Sequence, residues 1–386
     1  MHDRTVLGAA DVDDTQLAQL VATLLERPVE QVTLLDSCAT EVPYDLPAIT
    51  TAGRYWVRGH ADVGDEVRPF SLFVKHVQSW SRSPFFAEVP ADIAEMAEAG
   101  VPWRTEPLAY LSELRHRLPV GLRMPRAVGV FDLDEKSASI WLEEVVAQTT
   151  PWDTAHYARA AFLLGRLAGS PRVRDFAHVG RFSWTVHTYL EGRLRYQVLP
   201  MLREESIWRH PLVAGAFDDG LREHLLAAAD RVDDLVDELA AMPLGTAHGD
   251  ACPNNLLVTA EDDGFVLIDY GFWGEAPLGF DLGQLLVGDV QVGRRSADML
   301  SELERSIVPA YIDGLRAEGH DVPTSVVRRA HALHLMVFTG LSTLPFELLG
   351  ADRSPDLDRL AAERAEIARF SLRLLEATDS ARKFAG

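Results

Sequence analysis

Residues 246–258 read TAHGDACPNNLLV and place several polar side chains directly before an apolar, strand-like run. His248, Asp250 and Asn255 stand within this stretch. Polar groups at the edge of a buried run must be hydrogen-bonded, solvated or used, because burying them without partners costs roughly 2–7 kcal/mol. A loop that ends in a buried strand meets this demand, and the residue types indicate that the loop is a catalytic one.

A second apolar run, FVLIDYG at 265–271, follows a predicted turn over Asp262-Asp263-Gly264. The pattern predicts an antiparallel hairpin that brings Asp250, Asn255 and Asp269 to the same end. The side-chain oxygens of Asn255 and Asp269 are hard ligands suited to Mg²⁺ carried by substrate phosphates. Asp250 then remains free to accept a proton from an incoming hydroxyl. Phosphoryl transfer needs little more than such positioning, metal neutralisation and an orienting carboxylate.

Each of these residues has a structural explanation when it is taken alone. A single aspartate before a strand is usually a turn or cap residue, and His248 is better interpreted as a packed, supporting histidine than as a catalyst. The ordered set H-G-D-x4-N, apolar strand, turn, apolar strand, D-x-G is far more specific than its parts. We therefore interpret the hairpin as functional, with Gly271 allowing the backbone to turn after the metal ligand.

The elements around the hairpin predict two lobes of different character. Strand patterns rich in β-branched and aromatic residues occur at 32–42, 54–61, 70–77, 126–133 and 137–145. One helix is predicted at 105–118, with Leu108, Leu111 and Leu114 on one side. After about residue 150 helical patterns dominate. They begin at Asp153, a predicted cap for a helix ending at Gly169, and recur near 183–207, 220–241, 296–318, 323–340 and 355–377.

We therefore predict an α+β fold with a small β-rich lobe at residues 1–145 and a larger, mainly helical lobe at 146–386. The helical lobe carries the catalytic hairpin. Small ligands usually bind in the cleft between such units.

The composition excludes several classes of protein. Among 386 residues, 37 basic and 58 acidic side chains give a formal net charge of −21, which argues against a nucleic-acid partner. No run approaches the roughly 18 apolar residues of a membrane helix, and the start, MHDRTVLGAADVDD, lacks the pattern of a signal peptide. We expect a cytoplasmic protein with no membrane partner. Its two cysteines, Cys38 and Cys252, are expected to be free thiols.

The motifs resemble those of the aminoglycoside phosphotransferase family, small-molecule relatives of the eukaryotic protein kinases. The matching stretches are HGDACPNN at 248–255, LIDYG at 267–271 and GFDLGQLL at 279–286. The resemblance covers about residues 30–350. It implies a bilobal protein-kinase-like fold, ATP and Mg²⁺ as cofactors, and a small-molecule hydroxyl acceptor.

The resemblance also implies roles for individual residues. It gives Asp250 as the catalytic base and Asn255 and Asp269 as metal ligands, in agreement with the reasoning from the residues. Asp281 is implied as a brace that holds the catalytic loop through hydrogen bonds.

In the β-rich lobe the resemblance implies a strand lysine that holds the ATP phosphates and a helix glutamate that pairs with it. FSLFVKHV offers Lys75 as the lysine, and Glu106 is the expected partner, with Glu113 as its competitor.

The phosphate-covering loop departs from the G-x-G-x-x-G pattern of protein kinases. The chain has ITTAGRYWVRG at 49–59, in which Thr51 and Gly53 are expected to meet phosphates, with an ordinary β-turn as the alternative. Backbone groups near Glu143 to Val145 are expected to meet adenine. The segment 79–101 is longer than the fold requires, and both a lid and a dimer contact remain open for it, as does the oligomeric state.

Three other functions compete with this interpretation. A protein kinase usually carries an arginine before the catalytic aspartate, where this chain has Gly249, and no A-P-E segment follows Asp269. A metallohydrolase, with the loop's histidine and first aspartate as metal ligands, would need more histidines, and only His331 and His334 offer a spaced pair. A nucleotide-binding pseudokinase typically loses the base or a metal ligand, and this chain retains both.

The acceptor stays open among aminoglycosides, other antibiotics, amino sugars and related alcohols. Acidic residues are frequent near the end of the chain, at Glu347, Asp352, Asp356, Asp358, Glu363 and Glu366. Carboxylates that face the cleft would suit an amine-bearing sugar. A solvated helix face explains most of them.

Overall fold

The computed structural model describes residues 2–44, 48–182, 184–260 and 263–385. A six-stranded sheet dominates the first part, in the order β1-β2-β3-β4-β7-β6, with neighbours antiparallel except for β1 beside β2. The strands of the chain are β1 His2–Asp3, β2 Thr33–Glu41, β3 Thr51–Asp62, β4 Val67–Gln78, β5 Leu122–Arg123, β6 Ala127–Asp134, β7 Ser137–Glu143, β8 Leu244–Ala247, β9 Leu256–Val258, β10 Phe265–Leu267 and β11 Gly274–Pro277.

Helices make up most of the second part. Their bounds are α1 Asp14–Leu25, α2 Ala94–Ala99, α3 Thr105–Leu111, α4 Thr154–Gly169, α5 Pro171–Arg174, α6 Val186–Tyr189, α7 Leu199–Arg203, α8 Glu205–Trp208, α9 Pro211–Ala214, α10 Asp219–Asp230, α11 Val232–Ala240, α12 Phe280–Gln291, α13 Leu300–Ala317, α14 Thr324–His334 and α15 Pro355–Ala385. A π-helical stretch at Leu190–Val198 joins α6 to α7, and another at Leu335–Thr339 extends α14. The predicted α+β arrangement, β-rich first and helical afterwards, is confirmed.

The sheet has two different faces because side chains alternate along its strands. Leu72 and Val74 of β4 pack into a core with Leu17 and Val21 of α1. Helix α1, whose first turn is capped by the Asp13 carboxylate, was not among the predicted helices. The intervening residues of β4 face the helical part of the chain, and among them is Lys75.

The predicted helix at 105–118 is shorter than expected. Helix α3 ends at Leu111 and a 3-10 turn follows at Glu113–His116, because Ser112 adopts an extended backbone and its hydroxyl caps the amide of Leu114. Leu114 is buried but Leu111 is 64% exposed. The prediction that both face one side is therefore wrong for Leu111.

The helical part is built around a close crossing of α4 and α13. A side chain at Gly165 would clash with the backbone of Tyr311, and one at Gly314 would clash with the backbone of Phe162. The two helices thus meet almost backbone to backbone. The predicted cap of α4 is confirmed, since the Asp153 carboxylate accepts a hydrogen bond from the His156 amide at 2.9 Å.

The predicted hairpin is confirmed as antiparallel strands β9 and β10, although its predicted turn over Asp262-Asp263-Gly264 lies partly outside the described residues. Strand β5 pairs with β10 in parallel, so a piece of the first 145 residues completes the sheet of the hairpin. A separate two-stranded sheet joins β8 to β11. In the described part of the chain, no helix has the length and apolar character needed to cross a membrane.

Candidate active site

Strand β8 leads directly into the loop His248-Gly249-Asp250, which is clamped from behind by Asp281. The two carboxylate oxygens of Asp281 accept hydrogen bonds from the amides of His248 and Gly249, both at 2.9 Å. Asp281 lies in the first turn of α12 and is almost fully buried. Burial raises the pKa of Asp281 to about 6, and the two amide donors work against this rise. The carboxylate therefore fixes the backbone of the loop.

Gly249 is required by the geometry of this loop. Its φ is +85°, a left-handed conformation that favours glycine. A Cβ atom at this position would also clash with the backbone carbonyl of Phe272. No arginine fits where protein kinases usually carry one.

The ring of His248 is fully engaged by the backbone. Its Nδ1 lies 3.4 Å from the amide of Asp250, and its Nε2 lies 3.0 Å from the carbonyl of Ile268. Burial lowers the pKa of His248 to about 4, so the ring is neutral at physiological pH. A neutral ring that accepts at Nδ1 and donates at Nε2 ties the loop to the hairpin.

Asp250 is oriented by Asn255, which follows it in a 3-10 turn at Pro253–Asn255. The Asn255 amide nitrogen donates to the Asp250 carbonyl at 2.9 Å and to its carboxylate at 3.0 Å. Burial and the negative charge of Asp269 raise the pKa of Asp250 to about 6. The result is a positioned carboxylate that is a stronger base than an ordinary aspartate.

Lys75, Glu106 and Asp269 form one ionic cluster. The Lys75 ammonium lies 2.6 Å from a Glu106 oxygen and 3.0 Å from an Asp269 oxygen. Lys75 and Glu106 are buried, whereas the Asp269 side chain is 36% exposed. The competitor Glu113 is exposed and lies in the 3-10 turn after α3.

The two carboxylates of the cluster have opposite pKa shifts. Burial raises the pKa of Glu106 to about 7, and the charge of Lys75 only partly opposes this. Burial would also raise the pKa of Asp269, but the charge and hydrogen bond of Lys75, together with the charges of Arg54 and His248, leave this pKa below its usual value. Asp269 is therefore the carboxylate that stays ionised most firmly in the site.

Asn255 and Asp269 lie side by side at the end of the hairpin. The amide of Ile268 donates to the carbonyl of Asn255 at 3.1 Å. Asp269 itself has a left-handed backbone (φ 64°, ψ 69°), which is costly for a non-glycine residue and clusters at functional sites. Because the Asn255 amide nitrogen is bound to Asp250, its side-chain oxygen is the atom left for a cation.

This donor set fits a hard cation that arrives with phosphates. Mg²⁺ is usually bound by one or two protein oxygens, with water and substrate phosphates completing its shell. Among the residues that the structure describes, no group of three or more histidine, cysteine, aspartate or glutamate side chains is arranged to hold a metal by itself.

The ring of Tyr270 connects the cluster to the loop. It lies between Tyr110 of α3, at a centroid distance of 5.6 Å, and His248, at 5.3 Å. Tyr110 lies one helical turn after Glu106. The position of the glutamate helix is thus coupled by packing to the catalytic loop.

The predicted phosphate loop is displaced in the structure. Thr51 and Gly53 belong to β3, and the connection from β2 to β3 runs over residues 42–50. Packing explains the glycine at position 53, because a Cβ atom there would clash with the Tyr55 hydroxyl. Thr51 is half-buried opposite Val77. Strand pairing begins at Thr51, earlier than the strand predicted at 54–61, and the roles of Thr51 and Gly53 toward phosphates stay predictions.

The expected hinge follows the last strand of the large sheet. Glu143 forms two hydrogen bonds with the backbone of Arg126. The Glu143 amide donates to the Arg126 carbonyl at 3.0 Å, and the Glu143 carboxylate accepts from the Arg126 amide at 2.8 Å. The backbone amide and carbonyl of Val145 have no hydrogen-bond partner within the described residues. Val145 therefore has backbone groups that are free to meet a ligand at the hinge.

Sequence reasoning missed two residues of the cleft, Arg54 and Tyr44. Arg54 stands directly opposite Lys75 in the β3–β4 register. Its guanidinium carbon lies 3.9 Å from the centroid of the Tyr44 ring. Residues paired across antiparallel strands share a face, so a known register would have identified Arg54. The sequence of neither strand alone determines that register.

The segment 79–101 is anchored at both ends. One oxygen of Glu98 accepts hydrogen bonds from the hydroxyls of Ser79 and Ser81 and from the Lys136 ammonium, at 2.5–2.7 Å. The bond from Lys136 is the main reason that the pKa of Glu98 falls to about 2. The amide of Ser79 also donates to the carbonyl of Lys136 at 2.8 Å. The segment is thus tied to the β6–β7 turn.

The remaining candidates lie away from this ionic cluster. Burial lowers the pKa of His331 to about 4 and that of His334 to about 3. The centroid of the His334 ring lies 4.1 Å from that of the Phe280 ring. The acidic residues near the end of the chain are solvated or bound to neighbours. Contacts of this kind are Glu347 with Arg364, Asp356 with Arg359, Asp358 with Arg353, Glu363 with the Ala297 amide, and Glu366 with Arg369.

Comparison with known proteins gives a family and a fold. The model of the phosphotransferase enzyme family (APH) matches residues 105–322, more than half of the chain. No match was found among curated protein sequences.

Several solved structures resemble this chain at low sequence identity. An aminoglycoside phosphotransferase from Alicyclobacillus acidocaldarius is 16% identical and has a TM-score of 0.52, covering 88% of this chain and 98% of its own. A putative aminoglycoside phosphotransferase from Ralstonia eutropha is 12% identical with a TM-score of 0.49, covering 94% and 98%. Amicoumacin kinase hAmiN is 16% identical with a TM-score of 0.44, covering 97% and 96%. The first of these likenesses shows a shared bilobal fold and leaves the substrate open.

Proposed function

Because the chain belongs to the phosphotransferase enzyme family, we propose that it transfers the terminal phosphate of ATP to a hydroxyl group of a small molecule. The observation that carries the proposal is the contrast between two carboxylates at one end of the hairpin. Asp269 is held ionised by Lys75 at 3.0 Å, whereas the pKa of Asp250 is raised to about 6. A metal ligand and a general base require this difference in charge and basicity.

Asn255 and Asp269 would hold Mg²⁺ through their side-chain oxygens, and the ion would neutralise charge on the transferred phosphate. Lys75 would bind oxygens of the other phosphates, with its ammonium directed by Glu106. Asp281 and His248 would hold the loop in place without touching either substrate. The structural basis of this division is that Asp281 and His248 are buried and bound to backbone groups.

Asp250 would act on the acceptor. The acceptor oxygen attacks the terminal phosphorus, the bond from that phosphorus to the bridging oxygen of ADP breaks, and the hydroxyl proton passes to the Asp250 carboxylate. The Asn255 amide, 3.0 Å from that carboxylate, would keep it directed at the hydroxyl. Positioned bases of this kind contribute about 10²- to 10⁴-fold in rate.

The nucleotide would lie under the sheet, with adenine at the backbone of Val145 near Glu143 and with Thr51 and Gly53 close to the phosphates. GTP is a second donor in this proposal, because backbone contacts discriminate weakly between bases. Residues 1–145 would form the nucleotide-binding lobe and residues 146–386 the catalytic and acceptor-binding lobe. We place the protein in the cytoplasm.

The acceptor is proposed to be an aminoglycoside, another antibiotic or an amino sugar. The test is ATP consumption by the purified protein with Mg²⁺ across a library of hydroxyl compounds, with Asp250→Asn as the inactive control. Turnover with at least one compound, lost in the control, is expected. Binding of a nucleoside triphosphate without any turnover would favour the pseudokinase alternative. Absence of nucleotide binding and of any metal-dependent thermal shift would refute the proposal.

A further inference from the structure

Arg54 is a cation near the proposed active site, and the proposed function assigns it no role. It stands opposite Lys75 in the antiparallel pairing of β3 with β4, so the two side chains share the face of the sheet that looks toward the catalytic loop. Among the described residues, its guanidinium has no carboxylate partner. Its observed contact is the ring of Tyr44 at 3.9 Å.

The charges around Lys75 show why a second cation matters. The single ammonium of Lys75 is shared by Glu106 at 2.6 Å and Asp269 at 3.0 Å, and Asp250 adds a further carboxylate nearby. Lys75 therefore has little positive charge left for an incoming triphosphate. Arg54 lies beside it, and no carboxylate among the described residues forms an ion pair with Arg54.

The pairing of β3 with β4 places Arg54 beside this cluster. Arg54 is the cross-strand partner of Lys75, and the Lys75 ammonium lies 3.0 Å from an Asp269 oxygen. The pKa of Tyr44 is raised chiefly by burial and additionally by the charges of Asp269 and Asp250. Arg54 and Tyr44 thus lie on the same side of the site as Asp250 and Asp269.

The contact with Tyr44 is one that a ligand can replace. Tyr44 lies in the connection from β2 to β3 and is 49% exposed. A guanidinium over an exposed aromatic ring is held only weakly, because water competes for the cation. Phosphate offers the same guanidinium two parallel, charge-assisted hydrogen bonds, which are considerably stronger.

We propose that Arg54 is a second phosphate-binding cation of this enzyme, which exchanges the Tyr44 ring for the terminal phosphates of a magnesium–nucleoside triphosphate. This inference rests on the proposed function and deepens it. Lys75 and Arg54, paired across two strands, then bind different phosphates of the same nucleotide. The planar fork of an arginine suits this task better than a lysine, because it binds two phosphate oxygens at once.

The test compares nucleotide binding by Arg54→Gln, Arg54→Lys and a matched control, Arg58→Gln. Arg58 lies on the same face of β3 but stands opposite Ser71, and it bonds Ser71 and Glu144 near the surface. Each protein is titrated by calorimetry with magnesium and AMP-PNP, and separately with AMP. Arg54→Gln should bind AMP-PNP roughly 10- to 100-fold more weakly, as expected for loss of charged hydrogen bonds. Binding of AMP should change less than about twofold, and Arg54→Lys should recover part of the loss.

The outcomes separate this inference from the function on which it rests. If wild type and Arg58→Gln bind AMP-PNP and Arg54→Gln binds it equally well, Arg54 is not a phosphate ligand and the proposed function still stands. Equal weakening toward AMP-PNP and AMP would show a structural role and would also overturn the inference. Tyr44→Ala should keep AMP-PNP binding, and a loss as large as that of Arg54→Gln would mean that the pair only supports its loop. If wild type binds no nucleotide, both proposals fail.

Discussion

Replacing Asp281 tests whether one buried carboxylate holds the catalytic loop. Asp281→Ala removes the acceptor of two amides, the buried one of His248 and the partly buried one of Gly249, each at 2.9 Å. A buried donor left unsatisfied costs about 1–3 kcal/mol and a partly exposed one costs less, so the variant should lose about 1–4 kcal/mol of unfolding free energy. Asp281→Asn keeps one acceptor oxygen and should lose about half as much. Both variants should lose turnover, because the backbone that carries Asp250 is no longer fixed.

The assay is urea unfolding followed by tryptophan fluorescence, together with turnover of the same samples. Asp289→Asn is a suitable control, since Asp289 lies on the same helix α12 and pairs with Arg295 at 3.5 Å rather than with the loop. The reasoning is refuted if Asp281→Ala unfolds within about 0.5 kcal/mol of wild type, the range of an ordinary surface substitution, and keeps its turnover.

Three further predictions follow from the site and the helix packing. Because the pKa of Asp250 is raised to about 6, kcat/KM should fall below that pH by about tenfold per pH unit as the base becomes protonated; a flat profile between pH 5 and 8, with the fold intact by circular dichroism, would argue against Asp250 as the base. Lys75→Met should weaken nucleotide binding and leave Glu106 without its cation, so the folded-state pKa of Glu106 should rise further. The stability of the variant relative to wild type should then be greatest at low pH and decline as pH rises through the folded-state pKa of Glu106. An equal difference in melting temperature between variant and wild type at pH 6 and at pH 8 would contradict this. Gly314→Ala should destabilise by about 1–3 kcal/mol because α13 meets α4 there, whereas Gly192→Ala, with open space around it, should be neutral or stabilising in the same melts.

The sequence predicted the positions of those site residues that lie close together along the chain. Asp250, Asn255 and Asp269 are separated by two short strands, and an antiparallel hairpin brings its ends together whatever surrounds it. Lys75 and Glu106 are 31 residues apart, and their pairing was reached through the family resemblance rather than through spacing. Their contact at 2.6 Å gives that expectation a definite geometry.

The misses depend on contacts that are distant along the chain. Arg54 was overlooked because its importance comes from the register between β3 and β4, which side-chain patterns do not fix to one residue. Strand β5 is two residues long and exists because β10 pairs with it. The break after Leu111 depends on one serine that caps a new turn, a local event that helical periodicity cannot show.

The central claim is that Asp250 and Asp269, at one end of a hairpin, have different tasks. The direct measurement is calorimetric titration of Asp250→Asn and Asp269→Asn with magnesium and a non-hydrolysable ATP analogue, beside turnover of both variants once an acceptor is known. Asp250→Asn should bind the metal–nucleotide close to normally and lose about 10²- to 10⁴-fold in rate. Asp269→Asn should lose metal–nucleotide affinity as well as rate. Equal loss of metal–nucleotide binding in the two variants would contradict the account.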